Sequence, residues 1–555
     1  MLKRWTSRGL FIIFSMLLCA STACYRVAQV TDELAEPLTG PKGGQGGSNH
    51  IAQVTDELAV TPSEEIDYVV RHRLPSLTRM VSNERAQFIA PTMFAGRIEK
   101  IGIKVEECLK PEIKWKKIYN TVPKRFSSNS HITFSGKKSS ELNACIAKNP
   151  NKQIDVTVRE IELDEEIRLK SDVSLKGCNT LLKYNKEKRV RFAFLVEDCQ
   201  KVEISGFSFR DVPFGIYCLN SRDIILKNSR FFNCSGRAVV LRNVIGARVS
   251  ENRISKTNRS GVYVIGDSHD ILIDKNVIAD GRDFVNTSAG ITVSSIPLAD
   301  DPYDPDKHLS LSIRGRLVSP HDVLIYENEL ISNKAQGIYL DGPHLVYIVR
   351  NRIKGNIKEG ICLDWGTIGA FVSENDILFN GIYFPDGQPI DPKWEKRKFD
   401  KLPGISLDNT MWNIIERNNI SHNAGSGIKA VRSAIETIIF KNVITDNNLA
   451  SSSTFRGYGV SLGNSGYGNN VNATKLMDFV PDMGCIVAAN IISGKHHEGI
   501  HMAKEIYMND VFNNVILGSD RFSIKNLSKR NNIIYDNIVD VGMEGVQQEQ
   551  IMKKQ

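Results

Sequence analysis

The stretch "VRNRIKGNIKEGICLDWG", residues 349–366, contains two short apolar segments without helical periodicity between them. One segment follows Asn351, and the other follows Gly360. In "GICLD" the side chains of Ile361 and Leu363 alternate with their neighbours, which is the two-residue period of a β-strand. The stretch therefore predicts short strands joined by tight turns.

The Asn of this stretch is one of a long series. The same motif, an Asn before an apolar pair, occurs in "SENRIS", "DKNVIA" and "FKNVIT". The Asn positions are Asn228, Asn252, Asn276, Asn328, Asn351, Asn375, Asn418, Asn442, Asn490, Asn514 and Asn537. Their successive differences are 24, 24, 52, 23, 24, 43, 24, 48, 24 and 23 residues. Every step is near 24 residues or near twice that number.

A second series places a Gly at the start of a strand. Its members are Gly215, Gly236, Gly261, Gly290, Gly337, Gly360, Gly404, Gly427, Gly459 and Gly499. Strands that recur at this period indicate a β-solenoid, because one coil cannot bury its own apolar face whereas stacked coils share a continuous core. The Asn side chains can then hydrogen-bond along the stack.

The pattern resembles the right-handed parallel β-helix of the pectate-lyase-like superfamily, over residues 129–545. The resemblance implies an all-β solenoid of roughly a dozen coils. The segment "SSELNACIAKNPNKQ", 139–153, is similar to the N-terminal capping helix and first coil of that fold. A propeller or a leucine-rich horseshoe is the alternative, but neither has its signature in this chain.

Residues 1–24 have the pattern of a secretory signal peptide: basic residues, an apolar stretch over 10–18, and then small residues. Two processing routes fit. The peptide is cleaved in the ordinary way, or Cys24 becomes the lipidated first residue of a lipoprotein. Both routes predict export to the periplasm, the outer membrane or the extracellular space, with membrane contact only through a lipid anchor.

The segments outside the solenoid have distinct compositions. Residues 25–64 hold two copies of "AQVTDELA" around a Gly- and Pro-rich stretch, which predicts a flexible linker. Residues 65–128 remain unassigned, and 546–555 form a C-terminal tail.

The charge and the cysteines narrow the function only slightly. A net charge of +8 over 555 residues is too dilute for nucleic acid, although it suits an anionic polysaccharide. The ten cysteines contain no CxxC motif, so a structural zinc site is not expected. Cys178, Cys199, Cys218 and Cys234 are expected to be buried thiols, with one or two disulfides among the cysteines.

Three aspartates occupy equivalent positions of successive coils. "GIYLD", "GICLD" and "GISLD" end in Asp341, Asp364 and Asp408, each four residues after its Gly. Since the Ile and Leu side chains must fill the core, these carboxylates are expected to face solvent in one column. In the other coils this column is expected to hold Leu219, Val240, Ile265, Ser294, Val431 and Gly463. Strands lie about 4.8 Å apart, so the carboxylates should repel one another and one pKa should be raised.

Aromatic residues and loops surround this column. The insertions 295–320 and 380–403 are placed to wall a groove, the second carrying Trp394. The expected substrate-binding residues are Trp365, Trp394, Tyr339, His344 and Lys429.

Glycoside hydrolases use a pair of carboxyl groups for catalysis. "LDWG" also resembles the nucleophile-bearing coil of β-helical glycosidases. That resemblance implies Asp364 as nucleophile, Asp408 as acid/base and Asp341 as an assisting group. The sequence thus favours a hydrolase that acts on a polysaccharide or oligosaccharide without a cofactor.

Two alternatives stay open. A polysaccharide lyase or uronate C5-epimerase would hold Ca²⁺ on stacked Asp oxygens and use Lys429 as base. A surface adhesin or scaffold would use the solenoid without catalysis. His269 and His321, in "DSHD" and "SPHD", are interpreted as turn residues.

Overall fold

The computed structural model describes residues 108, 111–123, 126, 130–295, 318–381, 402–449, 457–463, 484–504, 506–529 and 531–544. Within these ranges the chain forms an all-β parallel solenoid, which confirms the predicted fold class. The only α-helices that have their bounds in these ranges are α1 (Pro111–Thr121) and α2 (Ser139–Lys148). Two short 3₁₀ turns lie at Lys186–Lys188 and Asn286–Ser288.

Each coil contributes one strand to a 14-stranded parallel sheet, here named the site sheet. Its strands are Ile167–Arg168, Phe192–Glu197, Phe214–Leu219, Val239–Arg242, Val262–Ile265, Ile291–Ser294, Ile338–Asp341, Ile361–Asp364, Ile405–Met411, Ile428–Ile435, Tyr458–Leu462, Glu498–Met502, Phe522–Asn526 and Met543–Glu544.

The remaining strands form two further columns, which two long strands, Ser174–Tyr184 and Gln200–Arg210, join into one sheet. The column that follows the site sheet along the chain has His131–Phe134, Gln153–Val156, Arg222–Lys227, Ile245–Ser250, His269–Asp274, His321–Tyr326, His344–Val349, Phe371–Ser373, Ile414–Glu416, Ile438–Phe440, Ile486–Ala488, Asp510–Phe512 and Ile533–Tyr535. The third column has Glu160–Leu163, Arg230–Phe232, Arg253–Ser255, Val277–Ala279, Glu329–Ile331, Arg352–Lys354, Asp376–Leu378, Asn419–Ser421, Val443–Thr445, Ile491–Ser493, Val515–Leu517 and Ile538–Val539.

The predicted Asn series forms a buried hydrogen-bond ladder between the second and third columns. In each step the side-chain oxygen of one Asn accepts from the backbone N–H and the amide of the previous one, as Asn375 does from Asn351 at 2.8 and 3.0 Å. The prediction for the first member of the Asn series is wrong by one residue. Asn228 has a positive φ of 51°, and Ser229 takes the ladder position by donating its backbone N–H to Asn252.

A second ladder, which the sequence analysis missed, lies at the turn that returns to the site sheet. It consists of Asn333, Asn356, Asn380, Asn423 and Asn447. These residues lie five positions after a member of the first ladder, so the same 23- to 24-residue period contained the signal.

The predicted Gly series opens the strands of the site sheet. A Cβ on Gly337 would lie 2.5 Å from Ile353 Cγ2 and 2.7 Å from the backbone oxygen of Gly360, so a larger residue does not fit there. Gly236 departs from the series. The strand after it begins later, and Val239 pairs with Ile216, which puts Ala238 in the Gly position.

The two helices have different places on the solenoid. Helix α2 packs against the strands Glu160–Leu163 and Ile167–Arg168 at the N-terminal end, where it covers the first coils as predicted. Helix α1 lies within the segment left unassigned and packs on the outside of the second column. There the ring of Trp115 stacks on Tyr326 at 5.9 Å.

The cysteines differ partly from expectation. Cys199, Cys218 and Cys234 are buried thiols as predicted, but Cys178 is exposed because its strand leaves it outside the core. No disulfide joins the cysteines of the described ranges. None of the helices described is long and apolar enough to cross a membrane.

Candidate active site

The three aspartates lie on adjacent strands of the site sheet. Asp341 pairs directly with Asp364 in register. The next strand continues that register from Leu363 to Leu407, which puts Asp408 beside Asp364. Ile and Leu side chains of these strands are fully buried in the core, so the carboxylates point to the outer side of the sheet.

The register corrects two members of the predicted column. Arg242, not Val240, is in line with Leu219 and Ile265, because the strand after Gly236 starts two residues late. Beyond Asp408 a β-bulge shifts the register, and Arg432 rather than Val431 becomes the backbone partner of Asp408. Bulges re-aim side chains and are frequent next to functional sites.

The carboxylates were expected to be exposed to solvent, but they are largely buried. Asp341 and Asp364 are only 7% and 6% exposed, and Asp408 is half-buried. Strand alternation fixes the direction of a side chain, but it does not state what packs above it. Tyr339, which was expected to bind substrate at the surface, is also buried and packs against Ala289 and Cys362.

Each carboxylate accepts hydrogen bonds from nearby groups. Asp364 accepts from the Tyr339 hydroxyl at 3.0 Å and from the Trp365 backbone N–H at 2.8 Å. Asp341 accepts from the Ser294 hydroxyl at 3.1 Å. Asp408 accepts from the Asn409 amide at 3.0 Å. The three carboxylates are therefore held in fixed positions.

Asp364 has an unusual protonation equilibrium. Burial, together with the negative charges of Asp408 and Asp341, raises the pKa of Asp364 to about 8, although the hydrogen bonds from Tyr339 and Trp365 oppose this effect. The expected raised pKa is thus present, and the central aspartate carries it. A carboxyl group with this pKa is protonated at neutral pH and can donate a proton.

Trp365 lies in a backbone conformation that bulky residues rarely adopt. It has a positive φ of 44° and is 36% exposed. In six other coils the residue that follows the same strand position also has positive φ, and there it is Asp198, Asn220, Asn243, Gly266, Gly342 or Asn409. A left-handed conformation costs about 1–2 kcal/mol for a residue with a side chain, and Asn and Gly tolerate it best. Trp365 therefore carries a backbone cost that Asn or Gly at this position would reduce.

If this face binds a glycan, as the sequence predicts, Trp365→Gly should weaken that affinity about tenfold, because an aromatic face beside the carboxylates is lost. The free energy of unfolding should change by less than about 1 kcal/mol, since the strained φ is relieved. Glycan titration and thermal unfolding measure the two effects. Phe379→Gly is a matched control, because Phe379 has φ 56° and is 39% exposed outside the site sheet. Equal losses of affinity in both variants would remove Trp365 from the site.

Two residues of this face were missed from the sequence. Glu359 and Lys358 directly precede Gly360, at the entry to the strand that ends in Asp364. The charge of Lys429, a predicted substrate-binding residue, acts on Glu359. Lys429 pairs with Ser406, so it lies in the column of Tyr339 and Cys362 rather than that of the aspartates. The sequence signal for these two residues was a charged residue immediately before a member of the Gly series.

The other predicted site residues lie elsewhere. His344 begins a strand of the second column, where it is buried, bonds to Ser319 at 2.9 Å and stacks on His321 at 4.8 Å. His321 stacks in turn on His269, so these residues are strand starts rather than part of the carboxylate group. Trp394, Cys24 and most of both predicted groove loops lie outside the described residues.

A family model described as "Right handed beta helix region" matches residues 171–296 and 314–476, just over half of the chain. The chain belongs to this right-handed β-helix family. No curated protein matches the sequence.

Solved structures similar to this β-helix protein include enzymes and an adhesin. The A-module of the Azotobacter vinelandii mannuronan C-5 epimerase AlgE4 has 14% identity and a TM-score of 0.37, with 73% of this chain and 96% of that chain covered. DFA-IIIase from Arthrobacter chlorophenolicus A6, in complex with GF2, has 11% identity and a TM-score of 0.47, with 66% and 95% covered. The Streptococcus pneumoniae surface adhesin PfbA has 12% identity and a TM-score of 0.38, with 73% and 91% covered. The activity must therefore be argued from the site.

Proposed function

We propose that this β-helix protein is an exported glycoside hydrolase that cleaves a polysaccharide or oligosaccharide at the Asp341–Asp364–Asp408 column. The observation that carries the proposal is a buried carboxyl group on the middle one of three adjacent strands, where burial and the two flanking carboxylates raise its pKa to about 8. Glycoside hydrolysis needs one carboxylic acid to protonate the leaving oxygen and one carboxylate beside it. Stability does not explain the arrangement, because stacked buried carboxylates repel one another.

The electrostatics favour Asp364 as the general acid. The resemblance to β-helical glycosidases implied the opposite assignment, with Asp364 as nucleophile. A nucleophile must be ionised, whereas the pKa of Asp364 is about 8. Asp408 is half-buried and so better hydrated as an anion, and it takes the role of nucleophile in this proposal. Asp341 assists by raising the pKa of Asp364.

The strand spacing favours a retaining mechanism. Adjacent strands lie about 4.8 Å apart, and a retaining pair has carboxyl groups about 5–5.5 Å apart. Asp408 would attack the anomeric carbon while Asp364 protonates the departing oxygen. Asp364, now ionised, would then accept a proton from the water that releases the sugar from Asp408.

A panel of polysaccharides tests the reaction class. The hydrolase produces new reducing ends with or without a chelator. A chelator-sensitive reaction with an ultraviolet-absorbing unsaturated product would instead support the lyase, and glycan binding without product would support the adhesin. Export, and a lipid on Cys24 as the only membrane attachment, can be tested by fractionation and mass spectrometry of the mature N-terminus.

The Tyr339→Phe variant separates the two roles of Asp364. The Tyr339 hydroxyl lowers the pKa of Asp364, so its removal should raise that pKa. If Asp364 is the acid, the alkaline limb of the pH–kcat/KM profile moves to higher pH and activity at neutral pH falls less than about tenfold. If Asp364 must be ionised, the acidic limb moves instead and neutral activity falls further. Tyr184→Phe, on the N-terminal coils, should leave the profile unchanged.

A further inference from the structure

Three consecutive coils near the N-terminal end present arginine on the outside of the third column. Arg230 and Arg253 are direct partners on adjacent strands, and Arg210, on the coil before, pairs with Phe232. The core-facing residues of these strands are Phe209, Phe231 and Ile254. The arginines alternate with them along the strands, so all three arginines point outward, and all three are exposed to solvent.

These three arginines have no acidic partner among the described residues. None of them makes an ion pair there, whereas charged residues of neighbouring coils on the same side of the solenoid do. Lys183 lies 3.2 Å from Glu160, and Arg352 lies 3.7 Å from Glu329. Like charges directly opposite one another on adjacent strands destabilise a sheet. An anion bound between Arg230 and Arg253 removes this repulsion.

An exposed aromatic ring lies among these cations. Phe232 is 39% exposed, and the centre of its ring lies 5.7 Å from the Arg210 Cζ atom and 5.2 Å from the Lys256 Nζ atom. Lys256 also makes no ion pair with a described residue. The surface formed by Arg210, Arg230, Phe232, Arg253 and Lys256 is here named the basic face. It combines an accessible ring with four cations.

The exposed acids nearest to the basic face lie outside its strands. They are Asp211, Glu251 and Asp280. Asp211 accepts a hydrogen bond from the Asn233 amide, and the Asn233 oxygen accepts one from Arg282, which is a further exposed cation. Five cations therefore face three acids. Arginine keeps its charge throughout the physiological pH range, so the positive charge of this face does not depend on a shifted pKa.

We propose that the basic face binds an acidic polysaccharide of the polyuronate class. Guanidinium groups bind carboxylates through paired hydrogen bonds, and an aromatic face packs against the apolar side of a sugar ring. The arginines repeat along the stack at the strand spacing of about 4.8 Å, so they suit a chain with repeated carboxylates better than a single small anion. The face lies outside the site sheet, so this binding is separate from the proposed hydrolysis and does not depend on it.

Binding of the full-length protein to immobilised polymers tests the charge of the ligand. The protein should bind polygalacturonate at least about tenfold more tightly than the carboxyl-reduced form, and this binding should weaken as the salt concentration rises. The variant with Arg210→Gln, Arg230→Gln and Arg253→Gln together should lose about tenfold or more in affinity for the native polymer. Equal binding of the two forms overturns the proposal, and so does absence of binding to polygalacturonate, alginate and hyaluronate alike.

A matched pair of arginines separates the basic face from general surface charge. Arg253→Gln removes a cation without an acidic partner among the described residues and should weaken binding about threefold. Arg352→Gln removes an exposed cation of the same column that lies 3.7 Å from Glu329, and it should change the affinity by less than about 1.5-fold. Equal effects would show that binding follows net charge alone, which overturns the assignment to this face. Thermal unfolding of each variant reports its folding.

Phe232→Ala tests whether the ligand is a saccharide. It should weaken binding of polygalacturonate about fivefold and leave binding of polyphosphate, an anionic chain without sugar rings, within about twofold. Equal changes for the two chains, or tighter arginine-dependent binding to phosphatidylglycerol vesicles, overturn the polysaccharide assignment. Asp364→Asn should stop hydrolysis without changing binding at the basic face, so the hydrolase proposal and this one fail independently.

Discussion

Asp364→Asn should lower glycan hydrolysis by about 10³-fold or more and at the same time raise the melting temperature. The loss follows because an amide at this position cannot protonate the leaving oxygen. The gain follows because burial and the charges of Asp341 and Asp408 keep Asp364 protonated in the folded protein at a pH where the unfolded chain ionises it, and an amide avoids this cost. At neutral pH the gain in the free energy of unfolding should be on the order of a few kcal/mol.

The pH dependence of this gain has a defined sign. The pKa of Asp364 is about 8 in the folded protein, against about 4 in the unfolded chain. The contribution of Asp364 to stability is therefore fully present below about pH 4 and is lost as the pH rises towards 8. The difference in the free energy of unfolding between the wild type and Asp364→Asn should grow across this range and stay constant above it. Denaturant unfolding at a series of pH values measures it.

Asp376→Asn is the control for this experiment. Asp376 is exposed on the third column, where it accepts a hydrogen bond from the Asn419 amide at 3.2 Å. Its substitution should change neither hydrolysis nor the pH dependence of stability. Retained turnover in Asp364→Asn, or a melting temperature that falls, would show that Asp364 is not the strained acid of an active site.

The fold was predictable because a solenoid repeats one set of constraints in every coil. The Asn and Gly series alone give the period, and the period gives the stacking. The errors came from residues that lie close to a repeat position but not at it. Ala238 rather than Gly236 is at the Gly position, so Arg242 replaces Val240 in the outer column. Ser229 rather than Asn228 starts the ladder.

The sequence predicted the direction of the three aspartate side chains, but it predicted only part of what surrounds them. Alternation and coil length together put Asp341, Asp364 and Asp408 in one column. They do not predict the burial of that column, which depends on packing above the sheet. The bulge after Leu407 was also hidden, because a bulge adds one residue without a sequence signature. Glu359 was missed because its position lies outside the strand pattern.

The largest effect on stability is expected from substitution of Asn418, and the neighbouring Asn419 serves as its control. Asn418 is buried in the ladder, where its side-chain oxygen accepts from the backbone N–H and the amide of Asn375 at 3.0 and 2.9 Å. Its amide donates to the Val372 carbonyl at 2.9 Å and to Asn442 at 3.0 Å. The adjacent Asn419 is exposed and makes one described side-chain hydrogen bond, to Asp376.

Asn418→Ala should lower the free energy of unfolding by about 3 kcal/mol or more, because it leaves buried donors and an acceptor on neighbouring coils without partners. Asn419→Ala should change it by less than about 0.5 kcal/mol, since water replaces its lost bond. Urea unfolding of the two variants gives both values. The two residues have the same type and adjoining positions, so helix or strand propensity cannot account for a difference. Equal effects would mean that the coils are held by apolar packing alone, and that the Asn series marks a turn conformation rather than a stabilising ladder.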